Sequence, residues 1–195
     1  MIIKCATYDI ETTTQPVQGK KRKYDPSPYN KKNFLLSFGV QTFDVVWDEK
    51  AKQIINTKAF DTFTTQATTE AFNNIKGRLD QSELVIGHFI KFDLLWSKSC
   101  GLVLTNKPTY DTGIAEFVLA RGQRVDLDLD SVAKRYGLPG KEDTVSGMIK
   151  SGVSPSEIVW ELLEPYLEID LDRTTNVFLE QIKRNNLDLQ QLAHM

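Results

Sequence analysis

Cysteine and histidine are scarce in this chain, with two of each among 195 residues. Cys5 and Cys100 are far apart and fit no zinc-ligand spacing. His88 and His194 are too few for a His-rich metal centre. Met1-Ile2-Ile3-Lys4 runs straight into an apolar segment, with no secretion signal. Both cysteines are therefore expected to be buried free thiols of a cytoplasmic protein, not a disulfide. No stretch approaches the ~18 consecutive apolar residues of a membrane span, so no membrane partner is expected. Repeats and low-complexity tracts are absent as well. The net charge of −2 does not advertise a nucleic-acid partner. It does not exclude one, because local patches set the field and a bound cation neutralises an acidic cluster.

What is present is an ordinary globular composition, 41% apolar and 26% charged. The length suits a single domain over residues 1–195 with a sizeable core. Strand and helix signals alternate, which predicts an α/β fold. Ile2 to Glu11 reads as a buried strand. Thr12 to Asn33, with Pro16, Gly19, Pro26 and Pro28, predicts a long loop. That loop carries Lys20, Lys21, Arg22 and Lys23, then Lys31 and Lys32, an electrostatic arm for phosphates or a solvated stretch. Phe34 to Val46 and Lys52 to Thr57 predict strands in an antiparallel meander beside the first, turning at Asp48-Glu49-Lys50. Ala71, Phe72, Ile75 and Leu79 predict a helix ending near Asp80. Leu84 to Ile86 predicts a short buried strand ending at Gly87. Ile90 to Cys100 predicts a helix stopped by Gly101. Further helices are expected over Ile114 to Ala120 and Ser131 to Tyr136. Ser154-Pro155-Ser156-Glu157 reads as a capping box that opens a helix. Pro165 is expected to restart or kink that helix, which should run to about Asn185 with a polar tail behind it.

Three acidic segments carry the chemistry. Side chains alternate along a strand, so Asp9 and Glu11 point the same way from the end of the first. Two carboxylates on one face repel, and a cation between them removes that cost. Asp93 falls in the first turn of a helix, where the dipole alone favours an acid. Tyr166 and Asp170, four apart, share a helix face bordered by Leu163, Leu167, Val177 and Phe178. An acid at the edge of such a face is costly unless it is paired or metal-bound. Other acids read as structural: Asp111 as a helix cap, and Asp126, Asp128 and Asp130 as a turn and a cap. The last three do not build a calcium loop, because Ser131 and Gly137 stand where glycine and glutamate are needed. Trp47, Trp96 and Trp160 are expected in the core.

Together the segments resemble the 3′–5′ exonuclease domain of the DEDD superfamily, tyrosine subclass, on an RNase H-like fold with a mixed central sheet flanked by helices. Asp9-Ile10-Glu11-Thr12 resembles the first motif, Asp93 the aspartate of the second, and Tyr166 to Asp170 the third. Asp111 to Glu116, Leu129 to Tyr136 and Asp25 to Asn30 resemble segments of the proofreading domain of family A DNA polymerases, phage ones in particular. Any one motif is weak, and three in order are far more specific. The resemblance implies hydrolysis of DNA from a 3′ end by two divalent ions, Mg²⁺ or Mn²⁺, with release of nucleoside 5′-monophosphates. Asp9 would bridge both ions, Glu11 and Asp170 would complete the first, Asp93 would hold the second, and Tyr166 would orient the attacking water. Thr12, Phe89, Phe92 and the Lys20–Lys23 run are the implied nucleic-acid contacts. A separately encoded polymerase or replication protein is an implied partner, in a bacterial or phage-infected cytoplasm.

One position departs from the pattern. Phe89 stands where the family carries Asn four residues before the motif-two aspartate. Phe cannot make the hydrogen bonds of Asn, but it can stack on a base. His88 beside it reads as structural. Two alternatives remain open at this point: an exoribonuclease of the same superfamily, and a binding module that keeps the fold without the activity.

Overall fold

Ile2–Thr12 forms the central strand, β1. Neighbouring strands and helices bury seven of its eleven residues, while Ile2 and Lys4 are exposed and Asp9 and Glu11 half-buried. The structure is a computed structural model that describes residues 1–16, 24–104, 107–139 and 144–194. Gln15–Pro16 (β2) and Tyr24–Asp25 (β3) then pair as a small antiparallel ladder. Lys20, Lys21, Arg22 and Lys23 lie outside the described residues. From Asp25 onward the expected loop is tied down rather than loose. The Asp25 carboxylate accepts hydrogen bonds from the Ser27 N–H and the Asn30 amide, both at 3.0 Å. Trp96 Nε1 donates to the Pro26 carbonyl at 2.9 Å, anchoring the turn to a helix.

Leu35–Asp48 (β4) and Gln53–Gln66 (β5) form one long hairpin. At its turn the Asp48 carboxylate accepts the N–H groups of Lys50 and Ala51. The strand expected over Lys52 to Thr57 continues to Gln66. Its second half was illegible because it is an exposed edge, with register breaks near Asp44 and Ala59 at φ 56°. Thr69–Gln81 (α1) is capped by Thr68, and Ala71, Ile75 and Leu79 recur every four residues on its buried face. Leu84–Gly87 (β6) leads into Lys91–Ser99 (α2), which stops before Gly101 at φ 90°. Thr109–Asp111 (β7), too short to show a period, enters Thr112–Leu119 (α3). Leu129–Arg135 (α4) follows, capped by Asp128.

The last third of the chain departs from expectation at four places. Thr144–Ser151 (α5) is a helix that the sequence did not announce. The Ser154–Glu157 capping box opens only a 3-10 turn, Pro155–Glu157. The long helix, Trp160–Asn185 (α6), starts afterwards and runs through Pro165 without ending. The tail carries a further short helix, Leu189–Ala193 (α7), whose Leu189 and Ala193 are buried.

The sheet order is β5-β4-β1-β6-β7. β4 is antiparallel to both β1 and β5, while β1, β6 and β7 run parallel. This mixed sheet flanked by helices agrees with the α/β expectation. Even-numbered Ala6, Tyr8 and Ile10 of β1 pack with α1 and α2. Odd-numbered Ile3 and Cys5 pack with Phe178, Leu179 and Ile182 of α6 and with α7. Both cysteines are free; Cys5 is buried, but Cys100, just past α2, is exposed, contrary to expectation. Among the described residues no helix is long and apolar enough to cross a membrane.

Candidate functional site

The period of two along β1 decides where its acids point. Asp9 and Glu11 share the odd-numbered face, which is the face that α6 covers. Gly39 of β4 is the residue directly opposite Asp9. A Cβ at Gly39 would stand 2.8 Å from Leu171 Cδ1 and 2.9 Å from Leu167 Cγ. Its absence therefore lets α6 lie close on the sheet at the level of Asp9. Leu167 and Leu171 flank Asp170 in the helix, so this close approach brings Asp170 and Tyr166 over the strand end. Sequence reasoning missed Gly39; a glycine in an otherwise apolar strand was the available signal. Deeper in the same interface, the hydroxyls of Thr7 and Thr175 meet at 2.6 Å, and Thr175 donates to Gln41 Oε1 at 2.6 Å. This buried polar chain fixes the register of α6 against β1 and β4, because slipping the helix would strand its groups without partners.

Asp93 arrives from the other side. β6 ends at Gly87, the chain turns, and α2 begins at Lys91, which places Asp93 in the first helical turn at the C-terminal edge of the parallel strands. That edge is where open α/β sheets put ligands. Asp93 is only 4% exposed. Burial, then the charge of Asp9 and that of Glu11, push its carboxyl well above the usual range, against backbone N–H bonds from Asp93 and Ile10. Ser97 donates to the Asp93 carbonyl at 2.7 Å and accepts from Tyr8, tying this turn of helix to β1.

These groups line one pocket of about 330 Å³: Asp9, Glu11, Asp93, Tyr166 and Asp170, with His88, Phe89, Phe92 and Thr174 around them. Burial, then Asp170 and Glu11, raise the Tyr166 phenol far above neutrality, although a hydrogen bond with Ser146 of α5 pulls it down. Tyr166 is therefore protonated. The donor set is all carboxylate, which suits hard divalent cations and not zinc or copper. As placed, no three His, Cys, Asp or Glu side chains among the described residues form a ready-made ion-holding group. The acids share a pocket without closing into a cage.

The remaining expected contacts divide. Phe92 lines the pocket. Thr12 is 5% exposed and is not part of the lining: as an even-numbered residue of β1 it points away from the face that carries Asp9 and Glu11. His88 is structural: Nε2 donates to the Leu127 carbonyl at 2.8 Å and Nδ1 meets the Thr112 hydroxyl at 2.8 Å. Burial lowers its pKa, and the Thr112 hydroxyl also donates to the Gly87 carbonyl at 3.3 Å. Phe89 is 43% exposed at φ 55°, a backbone region unfavourable for a bulky side chain. Asp111 acts as the expected cap of α3, accepting the N–H groups of Gly113 and Ile114, and also that of Phe89 at 3.0 Å.

A larger hollow of about 610 Å³ lies between α1 and the β4–β5 hairpin, away from these acids. Its Asp61 is already paired with Arg78, which also lies over the Phe63 ring. It offers no comparable convergence of unlike functional groups. Comparison with known proteins gives no family model that matches the chain, and no curated protein that matches it.

Proposed function

We propose that the protein is a metal-dependent 3′–5′ exonuclease acting on single-stranded or frayed DNA ends, on an RNase H-like fold. One observation carries the reading. Segments remote in sequence, on β1, α2 and α6, bring Asp9, Glu11, Asp93, Asp170 and Tyr166 into one pocket. The mixed sheet, with these acids at the C-terminal end of β1, supports it.

Asp9, Glu11 and Asp170 would hold one divalent ion, with Asp9 shared and Asp93 holding a second. Such a pair, Mg²⁺ or Mn²⁺, supplies charge stabilisation for the attacking and leaving oxygens of a phosphodiester displacement. The protein's own groups do the rest. Tyr166 keeps its proton and so orients a water by donating, without serving as a base. Phe89 and Phe92 form an apolar wall beside the acids. His88 moves no proton, because both ring nitrogens are engaged in holding the segments around Thr112 and Leu127.

The test is hydrolysis of 3′-labelled and 5′-labelled single-stranded DNA and RNA with Mg²⁺ or Mn²⁺, beside Asp9→Ala. Stepwise loss from the 3′ end, abolished in the variant, is the expected result. Faster cleavage of RNA assigns an exoribonuclease instead. Tight binding without cleavage in either metal assigns a binding module and removes the enzymatic reading.

A further inference from the structure

The strained backbone of Phe89 presents its ring to solvent at the mouth of the carboxylate pocket, and the surroundings are built to keep it there. The Phe89 N–H is held by Asp111. The ring packs edge-on to His88, with centroids 4.8 Å apart. It also sits on Gly113, where a Cβ would come within 2.8 Å of Phe89 Cε1. Gly113 and Phe117 are four apart and share a face of α3. The exposed face continues through Ile114 at 54%, Phe117 at 61% and Val118 at 65% exposure. An eight-residue helix thus gives its outer side to large apolar groups, beginning at the pocket that holds the acids.

The border of this strip is cationic. Lys91 and Lys98 line a groove of about 330 Å³ between α2 and α3, together with Leu94, Leu95 and Ile114. Arg121 and Arg124 are exposed just beyond the end of α3. None of these four side chains is ion-paired with a described residue. Of the nearby acids, Asp111 lines the same groove and accepts three backbone N–H groups, Glu116 is buried against Arg135, Tyr136 and Gln181, and Asp126 and Asp128 are exposed beyond Arg124. Aromatic rings flanked by cations complement an unpaired nucleic-acid strand: bases stack on the rings and phosphates meet the cations. A duplex keeps its bases stacked on each other and cannot use the rings.

Resting on the exonuclease reading, we propose that Phe89 and the Ile114–Phe117 face of α3 form a stacking track for the unpaired strand that feeds the carboxylate pocket, with Lys91, Lys98, Arg121 and Arg124 as its phosphate contacts. Phe89 is then a specificity-determining residue, favouring single-stranded over duplex ends.

The experiment measures anisotropy of a 5′-fluorescein oligothymidylate and of a blunt duplex, with Ca²⁺ in place of Mg²⁺. Phe117→Ser is expected to weaken single-strand binding about tenfold and leave duplex binding unchanged. Arg121→Gln with Arg124→Gln is expected to weaken it and to flatten its salt dependence. Phe89→Asn is expected to weaken it while the melting temperature holds or rises, because Asn tolerates positive φ better than Phe. Wild-type single-strand affinity in Phe117→Ser and in the arginine pair overturns the track. Loss of self-association in Phe117→Ser, seen by light scattering with DNA affinity intact, also overturns it and makes the face a protein contact. Parallel hydrolysis with Mg²⁺ separates the two readings. A wild type that binds through these residues but cleaves nothing fails the exonuclease and keeps the track. A wild type that cleaves, with variants that bind as it does, fails the track alone.

Discussion

Among single residues, Asp93 bears the sharpest conflict between folding and function. It is buried beside Asp9 and Glu11, and its carboxyl is pushed well above the usual range. A group whose pKa is raised on folding gives stability that is full below its unfolded value, near 4, and that is lost as pH rises through the folded value. In EDTA, the melting temperature of the wild type relative to Asp93→Asn should therefore fall as pH rises from about 4. Adding Mg²⁺ at neutral pH should recover it in the wild type and less in the variant. A difference that stays flat with pH would show that Asp93 carries no such cost. The acids themselves were legible in the sequence, since Asp-x-Glu on a strand and Tyr-x-x-x-Asp on a helix fix relative directions. The same alternation turns Thr12 away from them, so its place outside the pocket was legible as well.

At the level of elements, the approach of α6 to β1 and β4 controls the geometry of the pocket. Replacing Gly39 with Ala would ordinarily help a strand slightly. Here the new methyl meets branched carbons of Leu167 and Leu171 below 3 Å, and overpacking costs about 1–3 kcal/mol. The helix must lift, taking Asp170 and Tyr166 with it. A misplacement of about 1 Å can cost roughly 100-fold in rate. Gly39→Ala should thus lower kcat by about 10–100-fold with little change in KM, in steady-state assays on labelled single strands. An unchanged kcat would detach α6 placement from the chemistry. The elements themselves were mostly readable: Leu163, Leu167, Leu171, Phe178 and Ile182 mark α6 by their spacing. The 3-10 turn in place of a helix at Pro155 was not, because a capping box satisfies the first N–H groups equally well in either.

Taken whole, the molecule closes its α6-side core with the short terminal helix α7. Leu189 is fully buried there with Phe178 and Ile182. Leu189→Ala should cost about 2–5 kcal/mol, read as a lower urea midpoint, and a shift within error would mean that the tail is only appended. Nothing local predicts this burial: Leu189-Gln-Gln-Leu-Ala is a five-residue polar-looking helix whose partners lie far back in the chain. By itself the sequence determined the alternation of strands and helices, the shared face of Asp9 and Glu11, and the shared face of Tyr166 and Asp170. Those follow from the periods of two and 3.6 that every chain obeys. The tertiary structure alone decided that these faces and Asp93 meet in one pocket, that Gly39 lets α6 close on it, and that Phe89 stands out beside Phe117. Convergence of that kind depends on sheet order, register and helix approach, which are set by packing between distant residues.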